Sequence, residues 1–146
     1  MPDAATRKRA AADKRQGKSA STQAGEYVKE EMDHIREGKH GARSAKQAIA
    51  IGLSKARRSG VALKAPKSAS ATTRRKAAED TAAAKSPHKV SAKRSRATTT
   101  ALKREGRGAA SKVALSRQAT GAAKKRTAKS RSAAAKKAAR TRAAEG

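Results

Sequence analysis

The sequence contains no cysteine, phenylalanine or tryptophan, one tyrosine and three prolines. Without cysteine there is no disulfide framework and no thiolate-ligated zinc. With a single aromatic residue there is no stacking platform of the kind that reads single-stranded RNA. The apolar fraction is 36%, most of it alanine, which buries little surface. Larger apolar side chains are confined to Tyr27, Val28, Met32, Ile35, Ile49, Ile51, Leu53, Val61 and Leu63, with Val90, Leu102, Val113 and Leu115 beyond them. The longest apolar run, AIAIGL at 48–53, is too short for a signal-peptide core or a membrane span. The basic N-terminus leads into no apolar segment, so a cytoplasmic, nucleoid-associated location is expected and no membrane partner. Acid is also scarce: 11 Asp+Glu stand against 38 Lys+Arg, for a net charge of +27.

A chain this poor in large hydrophobes is not expected to offset the entropy of ordering its whole length. Its self-repulsion disfavours compaction unless a polyanion neutralises it. The expected fold class is mostly α with extensive disorder: a small antiparallel helical hairpin flanked by basic arms. The organisation read from composition is a basic disordered arm at 1–20 and the hairpin at 21–65. A linker with an exposed helix follows at 66–87, then a basic Lys/Arg/Ala-rich tail with short transient helices at 88–146.

Periodicity defines the hairpin. Val28, Met32 and Ile35 share one helical face with Tyr27 at its flank, in a helix starting near residues 22–25 and ending at Gly38. Ser21 or Thr22 is its expected cap, and Lys29 and Asp33 are spaced for an i, i+4 ion pair. Ser44-Ala45-Lys46-Gln47 fits a capping box that opens a second helix. On that helix Ala45, Ala48, Ile49, Gly52 and Ala56 make a stripe with Leu53 at its edge, small enough for close helix approach. Gly60 followed by Val61 fits a Schellman ending. Ile51 lies off the stripe, either simply exposed or packed on a third segment or a second copy of the chain. A homodimer through the hairpin is one expectation.

The strongest functional signal is the positive charge. Phosphate neutralisation needs cations at sufficient density and no fixed geometry. The residues expected to supply it are Arg43, Lys46, Lys55, Arg57 and Arg58 on and before the second helix. In the tail they are Lys93, Arg94, Arg96, Lys103, Arg104, Arg107, Lys112, Arg117, Lys124, Lys125, Arg126, Lys136 and Lys137. Lys46, Ser54, Arg57 and Arg58 are placed on the outer side of the second helix, tracking phosphate rather than reading bases. The six-residue join at 38–43 exceeds that of a helix-turn-helix. Ser86-Pro87-His88-Lys89 matches the Ser-Pro-x-Lys element of histone H1 tails, or is an ordinary helix stop. Many Ser and Thr adjoin Lys or Arg, where phosphorylation would cancel charge.

Enzymatic chemistry is not expected, because three histidines and no packed pocket supply no nucleophile–base set. No cofactor is expected. His34 and His40 are six residues apart, near Glu30, Glu31 and Glu37. The pair spans a helix end without an evident third fixed ligand, so no metal is expected either.

The segments EEM (30–32), EGK (37–39) and RSAKQAIAIGLSKARRSG (43–60) carry a resemblance. Residues 27–61 resemble a family of short, basic, uncharacterised bacterial proteins, some described as DNA-binding. Residues 93–119 look like a second block of longer members, and the rest of the tail is similar in composition to histone H1-like bacterial proteins. The resemblance implies a bacterial nucleic-acid-associated protein and transfers no catalytic residues. The functional expectation is non-sequence-specific nucleic-acid binding, DNA before RNA, of histone-like character. The alternatives are an RNA- or ribosome-associated basic protein, and a hydrophilic stress or adaptor protein whose hairpin binds a protein partner.

Overall fold

The computed structural model describes residues 1–86 and 90–146; the Ser-Pro-x-Lys element falls largely outside them. Among the described residues there are seven α-helices and one 3-10 turn: α1 Ala4–Arg15, α2 Ala20–Arg36, α3 Ala45–Arg58, α4 Ala71–Lys85, α5 Ala92–Lys103, the turn Gly108–Ala110, α6 Lys112–Lys124 and α7 Ala128–Glu145. The mostly helical expectation holds. The extensive disorder does not: both the N-terminal arm and the tail are helical.

The reason lies in residues that carry little hydrophobicity. Alanine and lysine have strong intrinsic helix propensity. A hydroxyl stands immediately before five of the helices and accepts a backbone N–H three residues on. Ser19 takes that of Thr22, Ser44 that of Gln47, Ser70 that of Thr73, Ser91 that of Arg94 and Thr127 that of Ser130. Each cap satisfies an otherwise orphan donor, typically worth about 1 kcal/mol. The cap of α2 is thus Ser19, not Ser21 or Thr22, and the helix begins at Ala20.

The capping box at Ser44 forms with a shift. The Gln47 amide donates to Ser44 Oγ at 3.2 Å, while the Gln47 side-chain oxygen accepts from Arg43 N at 2.8 Å. Gly60 adopts φ 91°, and Gly60 N donates to Arg57 O and Val61 N to Ala56 O, the paired bonds of a Schellman ending. Gly38 repeats this at the end of α2, with φ 78° and Lys39 N donating to His34 O.

The chain forms two compact units, Met1–Ser111 and Lys112–Gly146. In the first, α2 packs on α3, α1 on α2, α4 on α3, and the 3-10 turn on both α2 and α3. The expected two-helix element with solvated arms is therefore a multi-helix body. The small stripe of α3 is buried as expected at Ala45, Ala48, Gly52 and Ala56. Ile49, Ile51 and Leu53 are half-buried. Met32 and Ile35 are buried on α2, Val28 is half-buried, and Tyr27 is a core residue rather than a flank. Tyr27 clusters with Ala10 of α1, Ala24, Ala56 and Val61, with Ala20, Leu53 and Leu63 packed against them.

Part of the expected tail also belongs to this body. Gly41 N donates to Leu102 O at 2.8 Å and Ala42 N to Gly106 O at 3.1 Å. Arg36 Nε donates to Ala110 O at 3.1 Å, and Ala109 and Ala110 are buried. In the second unit α6 and α7 have no buried residues.

Candidate nucleic-acid interface

Cations compete for the few acids before any remain for a ligand. Nine of the 11 acids lie in the first 80 residues, and each of the nine has a basic partner. Arg9 Nε meets Glu26 at 2.5 Å, and Lys18 meets Asp13 at 2.9 Å. Asp33 lies between Lys29, the expected i, i+4 partner, and Arg36. Glu37 pairs with Lys39 and Glu79 with Arg75. The Arg9 guanidinium is held above its ordinary pKa, first by its hydrogen bond to Glu26. The Lys39 ammonium is raised likewise by its hydrogen bond to Glu37.

The cations expected on α3 separate into two groups. Lys55 is turned inward, 2.6 Å from Glu31 and 3.7 Å from Glu30. Arg57 is buried rather than on the outer side, and its Nε donates to Leu63 O at 2.9 Å, holding the chain after Gly60. Arg58 Nε meets the buried Asp80 of α4 at 2.7 Å. Arg43 and Lys46 are exposed and enter none of the ion pairs formed among the described residues.

Lys93, Arg94, Arg96, Lys103 and Arg104 on and after α5 are exposed. Arg107 is exposed and its guanidinium lies over Gly38. In the second unit Lys112, Arg117, Lys124, Lys125, Arg126, Lys136 and Lys137 are all exposed. Arg126 also bonds to Ser130 Oγ and O, closing the turn into α7. Residues 112–146 hold eleven basic residues and one acid, Glu145.

Helix geometry sharpens this array. Advancing about 100° per residue, Lys129, Lys136 and Arg140 fall on one line of α7 with Lys137 beside it; Arg131 and Arg142 fall on the opposite side. Lys129, Arg131, Arg140 and Arg142 are absent from the set picked by sequence. Their signal was the even spacing of cations through an alanine helix, which is legible once 128–145 is known to be helical. This helix buries no side chain of its own.

No helix among the described residues is long and apolar enough to cross a membrane. Comparison with protein-family models, curated proteins and solved structures finds no match.

Proposed function

We propose that the protein binds nucleic acid without sequence choice, by phosphate neutralisation, and that residues 112–146 supply most of the contacts. The observation that carries this reading is the distribution of charge: nine of the ten acids in the first unit are matched to nearby cations, whereas the second unit sets eleven basic residues against one acid. Electrostatic binding of this kind has no need of a base-reading surface. DNA is proposed ahead of RNA, in keeping with a histone-like, nucleoid-associated protein of the short basic bacterial family described above. Within the first unit, α2 and α3 serve as a helical hairpin that docks rather than reads. Sedimentation of the full chain tests whether that element pairs two copies.

The deciding experiment is binding of the full chain to duplex DNA, duplex RNA and single strands across a salt series. About ten phosphate contacts give a log–log slope near −9 on duplex DNA. Weak binding with a flat salt response on all three overturns the proposal. A clear preference for either RNA form moves the partner to RNA.

A further inference from the structure

A second, unrelated feature lies between α1, α2 and the link that follows α2. Glu31 and His34 are three apart on α2 and so project from the same face. The Schellman turn at Gly38 then brings the chain back, placing His40 Nε2 3.2 Å from Glu31 Oε1. The two imidazoles meet edge to face, with centroids 6.1 Å apart. One donor atom each from Glu31, His34 and His40 lies within 4.8 Å of the others. Asp3, Glu30 and His34 form an overlapping group under the same limit.

Three observations point to a cation-binding role for this cluster. Glu31 is fully buried, yet neither of its oxygens accepts an aligned hydrogen bond among the described residues, and neither does Glu30 Oε1. Lys55 Nζ lies 2.6 Å from Glu31 Oε2, and His40 Nε2 lies 3.2 Å from Oε1. The tautomer of His40 is fixed: Nδ1 lies 3.1 Å from Gly41 O, which can only accept, so Nδ1 carries the proton. His40 thereby directs its Nε2 at the buried Glu31 carboxylate, 3.2 Å from Oε1. Finally, Asp3, Glu30 and Glu31 bring three carboxylates to the same two histidines.

We propose that Glu31, His34 and His40 bind a divalent transition-metal ion, with zinc the best match to two imidazoles and one carboxylate. Glu31 ligates through Oε1, because Lys55 Nζ holds Oε2 at 2.6 Å. Zinc bonds of about 2.0–2.2 Å in tetrahedral array set neighbouring donors roughly 3.3–3.5 Å apart. The Glu31–His40 contact is already near that separation. One outer partner is also in place: Gly41 O lies 3.1 Å from His40 Nδ1 and orients the ring. A histidine steadied by a carbonyl or a carboxylate is the common arrangement around a ligated metal. Asp3 or Glu30 is the candidate fourth ligand.

The test is calorimetric titration of the chelator-stripped full chain with zinc, in the absence of nucleic acid, so its outcome is independent of the function proposed above. Cobalt substitution supplies a spectroscopic reading of geometry. The expected result is saturable uptake of one zinc per chain, tetrahedral cobalt bands, and a raised melting temperature. His40→Ala and Glu31→Gln are each expected to weaken zinc binding at least tenfold. If Glu31→Gln does not fold, His40→Ala is decisive, since His40 lies in the link and not in a helix. Absence of saturable uptake by the natural chain, or equal uptake by His40→Ala, overturns the proposal.

Discussion

Gly52 of α3 lies so close to Val28 of α2 that a Cβ at position 52 would stand 2.7 Å from the Val28 Cα and 3.0 Å from its nitrogen. These are backbone atoms and have no rotamer by which to move aside. The glycine sets the separation of the two helices that α1, α4 and the 3-10 turn pack against.

Gly52→Ala is accordingly destabilising. Overpacking of this kind costs typically 1–3 kcal/mol, and alanine's better helix propensity returns about 1 kcal/mol of it. A net loss of about 1–2 kcal/mol is expected in urea unfolding followed by circular dichroism. A stabilised variant would mean that the helices separate freely at this point.

Gly41→Ala acts at a different place. Its Cβ would sit 2.0 Å from Glu105 O, incompatible with the backbone pairing of the link to residues 102–106. The amides of Gly41 and Ala42 are expected to be protected from hydrogen exchange in the natural chain, and the Ala42 amide to lose that protection in the variant. The core around Tyr27 keeps its own.

Ser44→Ala removes the N-cap of α3 and costs about 1 kcal/mol. Gln47→Ala leaves that cap but frees the Arg43 amide, so its effect is smaller. The expected order of midpoints in denaturant is natural chain, Gln47→Ala, then Ser44→Ala.

The two groups of cations predict opposite behaviour in binding. Changing Lys124, Lys125, Arg126, Lys136 and Lys137 to glutamine should shallow the salt slope on duplex DNA by about 4–5, at roughly 0.9 per lost contact. Arg58→Gln instead leaves Asp80, 7% exposed, without its ion-pair partner. It is expected to lower stability while leaving the slope unchanged.

The parts of this fold legible in sequence are those written in special residues. Ser44 with Gln47, Gly60 with Val61, and the Ala45–Ala48–Gly52–Ala56 stripe each left a distinct pattern, and each is found in place. The packing of α1 was not legible, because its buried face is Thr6 and Ala10, too small to register as hydrophobic periodicity. The docking of residues 102–110 runs through backbone amides and carbonyls, which no side-chain pattern announces. His34 and His40 stand out in the sequence, but it is the return of the chain at Gly38 that brings Glu31 to both of them. Asp3, at the cap position of α1, makes no side-chain cap bond and turns its carboxylate to His34 instead, a partner thirty-one residues away.

The pairing of residues 41–42 with 102–106 has a topological consequence. It ties together two points some sixty residues apart, so everything between them, including α3 and α4, lies within a closed loop of backbone. A single peptide-bond cut in the exposed turn after Pro66 would open that loop without freeing either end. The two fragments would remain one particle, held by the seam at Gly41 and by the contact of α3 with α4. A nick there would be visible only after denaturation.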